Sequence, residues 1–189
     1  MHPLALILSA TFLAAPADKP AAPSAGQPTM DLTKVGPASR KPKDEKVVKK
    51  EVDDFLKQHD ETAKKNDLNA MMVMMDFPVF MVTDDAKGVV EAKLFSKDEY
   101  VATMKPWFEN MPKDMTTTHK YATTILSDAL VEVTDDSTTT VGKQKTSGKS
   151  VSILVKREGK WMWKSMVEAG WGGMEKQPRP IQPTSAPVK

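Results

Sequence analysis

Of the fourteen prolines in this 189-residue chain, only Pro78, Pro106 and Pro112 fall between Asp44 and Met174. Proline fixes its own φ and lacks a backbone donor, so continuous helices and sheets belong where it is rare. The distribution therefore marks residues 44–174 as one domain of ordinary size. The flanking stretches 18–43 and 175–189, rich in Pro, Ala, Ser and Lys, are expected to be a disordered linker and a disordered tail, because they carry too little apolar surface to offset the entropy of ordering.

Residues 1–17 read as a signal peptide: an apolar run from Leu4 to Ala15 ends in an Ala15-x-Ala17 arrangement. The run is short of the roughly 20 apolar residues that span a bilayer. The chain is thus expected to be exported to a periplasmic or secreted location, with no stable membrane anchor after processing.

The 27 basic and 25 acidic side chains nearly cancel, which argues against a nucleic-acid partner. No cysteine is present, so thiol nucleophiles, Cys-ligated metals and disulfides are excluded. His59 and His119 stand apart with no H-x-x-x-H or H-E-x-x-H spacing, so no metal is expected. G-x-S-x-G, G-x-G-x-x-G and P-loop patterns are absent, and no cofactor is expected.

Within the domain, Val48, Val52, Phe55, Leu56, His59 and Ala63 recur at spacings of three and four, predicting an amphipathic helix over 44–65. Asn66 and Asp67 can cap a second helix, LNAMMVMM, that ends before Pro78. VFMVT predicts a strand, DDAKG a turn and VVEAKLF an extended segment. Ser96-Lys97-Asp98-Glu99 is a capping box that opens a third helix, expected to break near Pro106. MTTTHKYATTIL, ALVEVT, TTTVGKQKT, SVSILVKR and KWMWKSMVEA then predict successive antiparallel strands, punctuated by DD, SG and EG.

The last hairpin invites a register. A three-residue loop of Arg157, Glu158 and Gly159 would set Val155 opposite Trp161 and Ile153 opposite Trp163, so that the tryptophans close the core. Leu154, Met162 and Met166 would then form an outer apolar strip suited to homodimerisation.

Three helices ahead of an antiparallel sheet, with KKNDLNAMM between the first two and GKWMWKSMVEAGWG at the end, resemble the NTF2-like superfamily, specifically SnoaL-like and DUF4440-type domains. The resemblance covers residues 44–174. It implies an α+β cone in which three N-terminal helices pack on a curved antiparallel sheet around an apolar pocket. Ketosteroid-isomerase-like members use a tyrosine on the first helix, an aspartate base and an acid on the sheet. The first two positions fall near His59 and Asp85; the third falls between Ser147 and Val151, where there is no carboxylate.

His59 and Asp85 are accordingly the candidate catalytic residues. The candidate pocket comprises Phe55, His59, Asp76, Trp107, His119, Tyr121, Trp163 and Trp171. His119 and Tyr121 share a strand face and reach a pocket if that face is concave. Trp163 and Trp171 serve either as core or as stacking walls. Three functions stay open: binding a small, largely apolar molecule, cofactor-free lyase or isomerase chemistry, and homodimeric interaction.

Overall fold

The structure is a computed structural model that describes residues 31 and 33–172. The expected signal peptide, most of the expected linker and the expected tail lie outside the described residues. Residues 33–43 include a short 3-10 helix at Pro37–Ser39, and the Lys43 amide donates to Asp128.

Helix α1 spans Glu45–Lys64 and is capped by Asp44, whose carboxylate accepts the amides of Lys46 and Val47. Its buried face, Val48, Val52, Phe55 and Leu56, is the stripe read from the spacing. Helix α2 is shorter than expected, Leu68–Val73, because Met75 already enters strand β1 (Met75–Asp84). The apolar run belongs to two elements: Met72, Met74 and Met75 are buried, whereas Val73 points outward at 75% exposure.

Strand β2 is Val90–Phe95, followed by α3, Lys97–Glu109. The helices are therefore not one N-terminal group, since the β1–β2 hairpin separates α2 from α3. The Ser96 capping box forms in full. Hydrogen bonds from Ser96 hold the Glu99 carboxyl at about 2. The expected break at Pro106 does not occur. Proline sits in the last turn, after Tyr100 has anchored the helix in the core.

The remaining sheet has four long strands instead of five short ones: β3 (Thr116–Ser127), β4 (Leu130–Val141), β5 (Gln144–Arg157) and β6 (Lys160–Glu168). Asp135-Asp136 and Ser147-Gly148 are not turns. Both lie inside paired strands, with Asp135 opposite Ser150 and Ser137 opposite Gly148. The sheet order is β2-β1-β6-β5-β4-β3. It is mixed, because β1 runs parallel to β6.

The hairpin register also differs from expectation. Glu158 and Gly159 both adopt positive φ, so they form a two-residue loop with Arg157 opposite Lys160. Val155 then faces Met162, and Leu154 faces Trp163. Leu154 is fully buried, so it belongs to the core and the proposed outer strip does not exist. A bulge between Ile153 and Leu154 leaves Lys164 without a counterpart on β5 and reverses the parity of β6 beyond it. Met166 then packs into a second apolar cluster with Tyr100 and Val79. The principal cluster joins α1 to β4, β5 and β6 through Val52, Leu56, Val131, Leu154 and Trp163.

Candidate functional site

The inner face of the sheet changes character along its strands. On β4 the inward positions run Val131, Val133, Asp135, Ser137; on β5, read the other way, they run Leu154, Ser152, Ser150, Gly148. On β3 the series is Ile125, Thr123, Tyr121, His119. One end of the cone is apolar and fully packed, and the other carries hydrogen-bonding and ionisable groups.

Three carboxylates organise that polar end. Asp60, on α1, accepts the Tyr121 hydroxyl at 2.6 Å. Asp135 meets His119 Nδ1 at 2.7 Å, and its other oxygen accepts the Lys120 amide. His119 and Tyr121 stack with centroids 5.3 Å apart and rings nearly parallel. Glu168 lies in the cross-strand row that runs Tyr121, Asp135, Ser150, Glu168.

Burial and the Asp135 charge push Glu168 above the ordinary carboxylate value, while a Trp171 hydrogen bond and His119 oppose the shift. Burial alone would raise Asp60, but His59 and Tyr121 outweigh it and hold it low. Tyr121 is pushed up by burial and by Asp60, so its hydroxyl stays protonated. Tyr100 is raised to about 12 by burial and the Glu168 charge.

His59 and Phe55 both meet Trp163 edge-on, at 5.4 and 5.6 Å. His59 Nδ1 lies 3.6 Å from Asp60, too far for a hydrogen bond, and both it and Trp163 Nε1 are buried with no hydrogen-bond partner among the described residues. Trp163 is 7% exposed and part of the principal core.

Trp171 is placed by backbone. Its amide donates to Thr83 Oγ1 at 3.0 Å, and the amides of Gly170 and Gly172 donate to the Asp84 carbonyl. A Cβ on Gly172 would come within 2.7 Å of the Asp84 and Asp85 backbone, so only glycine permits this approach. Trp107, from α3, meets Trp171 edge-on at 5.8 Å.

The sequence candidates thus fall into groups. Phe55, His59 and Trp163 meet at the packed core, His119 and Tyr121 at the polar end, and Trp107 and Trp171 beside it. Asp76 lies elsewhere, 3.3 Å from both Arg157 and Lys164. Asp85 shapes the β1–β2 turn, its carboxylate accepting the amides of Lys87 and Val89.

Sequence reasoning missed Asp60, Asp135 and Glu168. Asp135 continues the alternation of Val131 and Val133, a signal the neighbouring Asp136 disguised as a turn. Asp60 lies off the helical stripe, and the bulge conceals the parity of Glu168. Among the described residues, no group of three or more His, Cys, Asp or Glu side chains is arranged to hold a metal ion.

A cleft of about 280 Å³ opens here, lined by Ser137, Thr139, Thr146, Ser147 and Gly148 on one side and by Glu168 to Trp171 on the other. Its walls are largely polar, in contrast to the apolar pocket implied by the resemblance.

No protein-family model matches the sequence, and no curated protein matches it. Solved structures do. An NTF2-like protein of unknown function from Pseudomonas putida superposes at TM-score 0.56 with 8% identity, over 66% of this chain and 87% of that one. A candidate scytalone dehydratase from Novosphingobium aromaticivorans gives 0.52 at 12% identity, over 65% and 83%. The association domain of C. elegans CaMKII gives 0.53 at 13% identity, over 66% and 96%. One fold thus serves unlike purposes, and the function of this chain must be argued from its own site. This chain thus has the NTF2-like fold, an α+β cone with a curved mixed sheet.

Proposed function

We propose that the domain is a cofactor-free lyase or isomerase that exchanges protons with a small molecule held at the polar end of the cone. The observation that carries this reading is the His119–Asp135 pair. A carboxylate on Nδ1 fixes the ring and its tautomer, leaving Nε2, which makes no hydrogen bond among the described residues, to act on a ligand. Glu168 is the complementary group. Held above the usual carboxylate value, it can carry the proton that is returned.

The backbones of β3 and β6 are three strand spacings apart, about 14 Å. Inward side chains bring His119 within electrostatic reach of Glu168, which also lines the cleft. His119 takes a proton from carbon and Glu168 delivers one to a second atom, so the sum is an elimination or a shift of a double bond. His59 and Trp163 stay with the packed core, and Asp85, in the β1–β2 turn, takes no part.

The test is deuterium incorporation from D2O into a panel of hydroxylated cyclic ketones and β-hydroxycarbonyl compounds, followed by proton NMR. Wild-type protein should promote exchange, and His119→Gln should slow it by about 10²- to 10⁴-fold with its melting temperature unchanged. Equal rates for the two proteins across the panel would overturn the reading.

A further inference from the structure

We infer that the cleft between β5 and the Ala169–Trp171 segment takes a neutral, ring-shaped molecule bearing several hydroxyl groups; this rests on the reading of the site given above and names its substrate class.

The hydroxyls on the wall set the first requirement. Ser137 and Thr146 donate to the carbonyls of Gly148 and Thr139, at 3.4 and 3.5 Å. Thr139 shares a hydrogen with Thr117 at 3.0 Å, and Ser147 with Thr138 at 3.3 Å. A hydroxyl has one proton and two lone pairs, so Ser137 and Thr146 present acceptors, while each hydroxyl pair uses one proton and leaves the other to offer. The ligand must therefore both donate and accept, as hydroxyl groups do.

Charge sets the second requirement. Among the described residues that line the cleft none is cationic, and Glu168 is the one ionisable group. A carboxylate or phosphate would lose hydration beside Glu168 without gaining a counter-charge. A neutral molecule rich in hydroxyls has no such cost, and an ammonium, which has donors only, cannot accept the protons that the wall also offers.

Shape sets the third. Gly148 sits inside β5, where glycine is unfavourable unless something approaches closely. A Cβ there would lie 3.3 Å from Ser137 Oγ and begin to fill the cleft. Trp171 supplies a flat apolar wall opposite, braced by Trp107. The cleft of about 280 Å³ is shallow and open to solvent on one side. That suits one six-membered ring with its hydroxyls, polar at its rim and apolar on its face.

The experiment is a titration of the full-length, ¹⁵N-labelled chain with myo-inositol, with cyclohexylamine and cyclohexanecarboxylate as charged rings of similar size. Inositol should shift the amides of Ser137 and Gly148 and the indole of Trp171, and neither charged ring should. Gly148→Val should weaken binding at least about tenfold. Trp171→Ala, which leaves β5 intact, should do the same and covers the case in which the valine variant fails to fold. Shifts with a charged ring in place of inositol, inositol shifts confined to other surfaces, or affinity unchanged in both variants would overturn the inference. Binding is read without turnover, so inositol binding with no deuterium exchange would refute only the proposed chemistry, and exchange with no inositol binding only the ligand class.

Discussion

The two ends of the cone share the same strands and the same inner face, yet they are built on opposite principles. At the packed end Val52, Val131 and Leu154 are wholly buried, and the fit of apolar side chains sets the structure. At the polar end the same strands present Asp135, Ser150 and Glu168, and burial works against the charge of Glu168. Apolar packing and ionisable groups are thus separated along the strand direction, and substitutions at the two ends should fail differently.

The largest loss should come from the packed end. Trp163→Ala removes a ring that meets both Phe55 and His59, and should cost about 3–5 kcal/mol in denaturant unfolding. A loss of ligand with unchanged stability would move Trp163 from core to pocket wall. Gly172→Ala probes the boundary. Its Cβ would strike the Asp84 backbone, and displacing the strand end should cost about 1–3 kcal/mol. It should also move the Trp171 indole resonance, because Trp171 is seated by that approach. Ser96→Ala, remote from both ends, should lose about 1 kcal/mol by uncapping α3, with no effect on proton exchange.

Glu168→Gln should show the smallest effect on stability and the most informative one. A carboxyl raised on folding stabilises the native state while protonated, below its unfolded value, and that contribution is lost as pH rises through its folded value. The glutamine variant should match wild type in acid and become relatively more stable as pH increases. A variant less stable than wild type at every pH would mean that Glu168 is held by favourable contacts instead.

How much of this was legible in the sequence follows the same division. The packed half of α1 was readable because Val48, Val52, Phe55 and Leu56 keep strict helical spacing. The strand-rich second half was visible in its Thr and Val content. Its strand ends were not, since Asp135-Asp136 and Ser147-Gly148 are turn-like pairs that tertiary pairing holds extended. The polar site suffered most. His119 and Tyr121 could be placed on one face by parity, but Glu168 could not, because a single bulge residue, Lys164, changes which side of β6 faces inward. The Glu158 turn has the same character: a positive φ at a non-glycine residue moved the register by one and brought Leu154 inside.

The most direct measurement is a ¹³C NMR titration of the Glu168 side-chain carboxyl, in wild type and in Asp135→Asn. The account predicts a midpoint above the ordinary glutamate range in wild type and a lower one once the Asp135 charge is gone. An ordinary midpoint that does not respond to Asp135 would mean that the polar end of the cone is solvated surface, with no site for proton exchange.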